Sequence, residues 1–167
     1  NRQSDLGGIA AIGFDCTDER FTDYSWTASG RTYVQWLANE GREWARQRLG
    51  LDASVRCLVG GSSMGGLISL IAIQEHPDAF HAAICMSPAF AYKGYDHTDV
   101  LHERGVDFAH RPVWMDNGTV GLEMDLQPGI DRMTAYLNEE GACTSTHIYE
   151  GARHFEADWG ERLGEAV

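Results

Sequence analysis

Lysine is almost absent: Lys93 is the only one among 13 basic residues, set against 25 aspartates and glutamates. The formal charge of −12 disfavours a nucleic-acid backbone as partner and repels an anionic membrane surface in the same way. Long apolar runs are missing as well. The longest, around Leu67–Ile73, falls far short of the roughly 20 residues of a membrane span. The four cysteines, at 16, 57, 85 and 143, form no Cys-x-x-Cys pair and no short Cys/His cluster, so zinc-ligand spacing is absent and no metal site is expected. Cys57 and Cys85 lie in apolar runs and read as small buried hydrophobes. The chain opens on Asn1 with no charged-then-apolar leader in view, and the expected compartment is a reducing cytoplasm.

What is present suits one compact domain over 1–167. The chain is 43% hydrophobic and 23% charged, and five Trp, six Tyr and six Phe supply enough large apolar surface to offset chain entropy. Arginine standing where lysine is usual fits a GC-rich genome. The acidic surface fits adaptation to high salt, which unfolding in molar KCl against dilute buffer would test.

Short apolar segments and helical patterns alternate along the chain. Gly8–Phe14, Val55–Gly60, Ala82–Met86, Pro112–Met115 and Thr144–Tyr149 read as buried strands. Between them, Tyr33, Trp36, Leu37 and Trp44 mark one helical face over 32–48, with Gly50 as its stop. Leu67–Gln74 is a nearly all-apolar helix ending before Pro77. Ile130, Met133 and Leu137 mark another, with Pro128 near its start and Gly141 after its end, and Trp159 with Leu163 suggests a short last helix. Continuous apolar strands alternating with helices imply a mostly parallel sheet with both faces covered, an α/β fold.

The strongest chemical signal is Gly61-Ser62-Ser63-Met64-Gly65, a G-x-S-x-G pentapeptide extended by Gly60 and Gly66. A strand feeds into it and an apolar helix leaves it, which is the frame of a nucleophile elbow. Small residues two before and two after the serine let the turn pack between strand and helix. The Ser63 hydroxyl is then presented at the carboxyl end of the sheet, and the Met64 amide becomes an oxyanion donor. A phosphate-cradling loop is the competing reading, but its lysine is missing.

Serine needs a base to take its proton, and with this elbow the chain order is Ser, acid, His. His154 follows the last strand and fits by position, whereas His147 lies within that strand and reads as a packed or solvent-facing residue. The other five histidines read as surface. For the acid, Asp116, Glu123 and Asp125 all lie within reach of the loop after Val113-Trp114-Met115; order alone does not choose, and Asp116 could equally form a turn ahead of Asn117-Gly118.

At this point the chain resembles the esterase branch of the α/β-hydrolase superfamily, which includes enterochelin-type siderophore esterases, feruloyl esterase domains and mycolyltransferases. Four stretches carry the likeness: Ile12–Asp15 with Arg20 and Asp23-Tyr24; Gly61–Gly66 with Pro77–Phe80; Met86–Phe90; and Asp116–Glu123 followed by Gly151–His154, Glu156 and Trp159. Cys16 stands where that family usually has Asn. The resemblance implies an α/β-hydrolase-type fold and a Ser63–His154 pair, with the acid after the Gly-Thr, where this chain carries two extra residues. Glu123 is favoured there, with Asp116 as the alternative. The resemblance also implies a strand and a second oxyanion loop ahead of Ile9. The chain therefore reads as truncated at its amino end, unless Gly8–Phe14 pairs directly with Val55–Gly60.

The expected activity is hydrolysis of a small-molecule carboxylic ester through an acyl-enzyme, with no cofactor. An acyltransferase or thioesterase of the same fold is one alternative, and a non-catalytic binding module that keeps the fold is another.

Overall fold

A computed structural model describes residues 9–167. Four parallel strands form the sheet: β1 (Leu58–Ser62), β2 (Ala82–Met86), β5 (Pro112–Val120) and β6 (Cys143–Arg153), in the order β1-β2-β5-β6. Helices α4 (Met64–Glu75) and α6 (Leu122–Glu139) connect β1 to β2 and β5 to β6. Between β2 and β5 the chain makes a small hairpin, β3 (Ala91–Tyr92) with β4 (Tyr95–Asp96), and then α5 (His97–Arg104). Ahead of the sheet lie α1 (Arg20–Asp23), α2 (Ala28–Trp36) and α3 (Arg42–Leu49); α7 (Glu156–Ala166) follows β6.

Strand alternation sorts the two faces of the sheet. Ala83, Cys85, Val113 and Met115 point into the main core with Leu67, Leu70 and Ile71 of α4 and Ile130, Met133 and Leu137 of α6. Trp114 and Asp116 point the other way, toward His147, Tyr149 and α7, where Arg162 stacks 5.1 Å above the Tyr149 ring. Helices therefore cover both faces, as the sequence implies, but α7 alone covers much less of its side. Leu58 and Ile148 remain exposed. Among the described residues no helix is long and apolar enough to cross a membrane.

Several expectations change. Residues 9–17 form no strand, and β1 pairs only with β2 among the described residues; Gly8 lies outside them. The apolar anchor of that segment goes elsewhere: the Phe14 ring packs edge-on to Trp36 at 5.3 Å and to Trp44 at 6.0 Å. Those two tryptophans stay exposed, and the residues α2 and its exit send to the core are Val34 and Ala38. The single helix expected over 32–48 is interrupted by a wide turn at Leu37–Gly41, and Gly50 ends α3 in the left-handed conformation at φ 65°. Helix α6 begins at Leu122, well before Pro128, which removes one intrahelical bond without ending the helix.

His97 is not a surface residue. It is fully buried, its Nε2 2.9 Å from Gln74 Oε1 and its Nδ1 2.7 Å from the Tyr95 hydroxyl. Burial pushes its pKa down to about 3, so the ring is neutral. It stands in sequence between Asp96 and Thr98, so an apolar pattern could not reveal it. His147 is packed, its ring stacked on Trp114 at 3.9 Å between centroids.

Candidate active site

The register sets the carboxyl ends of β1 and β2 level with Asp116 and His147, inside β5 and β6. Ser62 pairs with Met86, Met86 with Asp116, and Asp116 with His147. β5 and β6 run on to Val120 and Arg153, and the residues that follow the four strands, Ser63, Ser87, Glu123 and His154, lie at the carboxyl end of the sheet.

Ser63 is the sharp turn between β1 and α4, at φ 57° and ψ −122°. This is a costly conformation for a residue with a Cβ, on the order of 1–3 kcal/mol, held because its surroundings over-determine it. The Ser63 amide donates to the Met86 carbonyl at 2.9 Å, and its own carbonyl accepts from Gly66, Leu67 and Ala89. A Cβ on Gly61 would lie 2.8 Å from the Gly65 carbonyl carbon, and one on Gly66 would lie 2.9 Å from the Pro88 ring. Gly65 itself faces open space, so the second glycine the turn requires is Gly66 rather than Gly65. Met64 is the first residue of α4, where an amide has no partner within the helix. The loop expected to supply a second amide falls ahead of Ile9, outside the described residues.

Asp116 does not form the expected turn, because β5 continues through it to Val120. The chain turns instead at Gly121, φ 68°, which places Glu123 in the first turn of α6, where the helix dipole favours a negative charge. Asn117 anchors that turn by donating to the Glu123 carbonyl at 2.8 Å. Gly118 makes room for it: a Cβ there would meet the Ala152 carbonyl oxygen at 2.2 Å and the Glu123 side chain at 3.0 Å.

Glu123 is fully buried, and its Oε2 lies 3.1 Å from Nδ1 of His154. The His154 ring meets the Trp159 indole edge-on at 4.8 Å. Nδ1 being engaged, Nε2 is the nitrogen left for another partner. Among the described residues Ser63 is not hydrogen-bonded to His154. Asp116, the alternative acid, is turned away from His154. It accepts from the Ser87 amide at 3.1 Å and pairs with Arg162 at 2.9 Å. Burial raises the Asp116 carboxyl above its ordinary range, although the Arg162 guanidinium works in the opposite sense.

Sequence reasoning missed three members of this cluster. Ser87, Trp159 and Arg162 meet beneath Glu123, with Trp159 Nε1 and Arg162 Nη2 both on the Ser87 oxygen at 2.9 and 2.6 Å. Ser87 and Trp159 stood in recognised stretches without a role, and their spacing to His154 was the available signal. Arg162 gave none, since a single arginine on an acidic helix reads as a surface charge. Among the described residues no cluster of His, Cys, Asp and Glu has the makings of a metal site.

Solved structures share this architecture. An enterochelin esterase from Shigella flexneri superposes with a TM-score of 0.70 at 15% identity, over 90% of this chain and 39% of its own. The siderophore hydrolase EstB from Aspergillus nidulans gives 0.71 at 15% identity, over 89% of this chain and 64% of its own. The BES protein from Bacillus cereus gives 0.67 at 15%, over 95% and 67%. The chain thus spans about two-fifths of the length of the Shigella enzyme it superposes on. No curated protein sequence matches it significantly. The family model described as "Putative esterase" matches residues 10–167, the same stretch that carries the elbow, Glu123 and His154, and the chain belongs to that α/β-hydrolase family.

Proposed function

We propose that the chain is a serine esterase in which Ser63 is the nucleophile, His154 the general base and Glu123 the acid. The observation that carries the reading is the 3.1 Å contact between Glu123 Oε2 and His154 Nδ1, at the same end of the sheet as a serine held at positive φ on a strand-to-helix turn. A carboxylate accepts, so Nδ1 carries the proton and Nε2 is free to take one from Ser63. The Ser63 oxygen then attacks the ester carbonyl. The tetrahedral oxyanion accepts from the Met64 amide, and the imidazolium returns its proton to the departing alcohol. Water, deprotonated by the same Nε2, releases the acid and restores the serine.

The substrate class is a small-molecule carboxylic ester. Siderophore esters, which the names of the Shigella and Aspergillus proteins suggest, would meet a chain of net charge −12. Long-range steering therefore favours neutral or cationic esters over anionic ones. Hydrolysis of p-nitrophenyl acetate should vanish in Ser63→Ala, and a fluorophosphonate should label wild type at Ser63 alone. Unchanged hydrolysis in the variant, or labelling elsewhere, would refute the assignment.

A further inference from the structure

We propose that Ser87 is a positioning residue that fixes the orientation of the Glu123 carboxylate, and through it the tautomer of His154, with Trp159 and Arg162 setting the direction of the Ser87 hydroxyl. The inference rests on the triad reading above and concerns what holds its acid in place.

A serine hydroxyl has one proton to donate and two lone pairs with which to accept. The Trp159 indole N–H is a donor only, and so is the Arg162 guanidinium; both point at Ser87 Oγ, at 2.9 and 2.6 Å. Its accepting capacity is filled, so its single proton has one remaining destination. That is Glu123 Oε1, 2.6 Å away. Glu123 is thereby held as an acceptor at Oε1, and its Oε2 faces His154 Nδ1 at 3.1 Å. With an acceptor on that side, the imidazole must carry its proton on Nδ1, which leaves Nε2 basic.

The backbone keeps Ser87 in place. It sits at φ 41° ahead of Pro88, and its amide donates to both the carbonyl and the Oδ1 of Asp116, at 2.9 and 3.1 Å. The charges facing this centre come from three elements: Glu123 on α6, Asp116 on β5 and Arg162 on α7, with His154 following β6 and the Tyr149 ring of β6 beneath the guanidinium. Arg162 is 2.9 Å from Asp116 and 3.8 Å from Glu123, and among the described residues it is the one fixed cation between these two buried carboxylates. Among the described residues its Nε and Nη1 have no hydrogen-bond partner, so its polar contacts run through Nη2 to Ser87 and the two carboxylates, over the Tyr149 ring.

Ser87→Gly tests the proposal with least strain, because glycine accepts the positive φ and loses only the hydroxyl. We expect kcat to fall on the order of ten- to a hundred-fold with KM little changed, the signature of a misplaced general base. Arg162→Gln should in addition move the acid limb of kcat/KM to higher pH, because Asp116 and Glu123 then share the site without a cation. A purely structural loss would lower activity equally at every pH. Nitrogen-15 NMR of the His154 ring reads the tautomer without any turnover: Nδ1-protonated in wild type, mixed in Ser87→Gly. Where Ser87→Gly does not fold, Trp159→Phe empties one lone pair, keeps the edge-on ring contact and should give the same mixing. A folded variant with wild-type kcat, pH profile and tautomer overturns the role of Ser87. Full activity in Ser63→Ala overturns instead the triad reading, which the tautomer measurement does not depend on.

Discussion

The Asp116 carboxylate lies 2.9 Å from the Arg162 guanidinium, while Glu123, seven residues further on, reaches the His154 ring at 3.1 Å. Strand geometry sends the two acids to different partners. Asp116 is still inside β5 and faces α7, whereas Glu123 is past the strand, on the first turn of α6. Glu123→Gln should lower turnover on the order of a thousand-fold or more, because an amide can no longer hold the imidazole in its working tautomer. Asp116→Asn should leave most of the activity. Side-by-side kcat values for p-nitrophenyl acetate decide it, and the reverse ranking would reassign the acid.

The glycines of the elbow are not equivalent. Gly61→Ala and Gly66→Ala should each cost about 1–3 kcal/mol, since backbone or the Pro88 ring must shift to admit the methyl group. Gly65→Ala meets open space within the first turn of α4 and should be neutral or stabilising by roughly 0.5 kcal/mol. Urea unfolding of the three variants measures the difference.

His97 makes acid stability predictable. Its folded pKa of about 3 lies below the ordinary 6.5, so on acidification the unfolded chain binds this proton first. Stability is therefore lost progressively as pH falls from about 6.5 toward 3. His97→Gln removes that term. Its unfolding free energy should fall less steeply across the window than that of wild type, whatever its absolute stability at neutral pH.

Asp116 acts with the opposite sign. Its folded pKa is raised above 3.8, so the folded state takes up this proton first as pH falls. Relative to Asp116→Asn, wild type should gain stability on going from neutral pH down through that raised value, and level off below the ordinary carboxylate range. Parallel denaturant titrations of the two proteins would show the converging or diverging curves.

Much of this was legible from pattern. The strand Ala82–Met86 reads off its apolar run to the residue, because both its faces are buried and nothing polar interrupts them. Ser63 is legible because the turn demands small neighbours at fixed offsets. Which carboxylate meets His154 is not legible from order alone: it depends on where β5 stops, and Asp-Asn-Gly, ordinarily a turn signal, is here strand. Ser87, Trp159 and Arg162 were hidden for a related reason. They meet across gaps of 72 and 75 residues, and no local periodicity records a polar contact of that span.

Ser63 and Ser87 both occupy positive φ at the ends of adjacent strands, φ 57° and 41°. Glycine would satisfy both backbones with less strain, but at Ser87 it would leave the buried Trp159 and Arg162 donors unpaired, so only Ser63 keeps its side chain against the fold's own thermodynamic interest. A scaffold that only had to bind would gain by shedding the Ser63 hydroxymethyl group. Stability and chemistry thus pull apart at Ser63, and replacing it by glycine should yield a protein that melts later and does nothing to an ester. That divergence separates a working enzyme from a silent relative of the same shape.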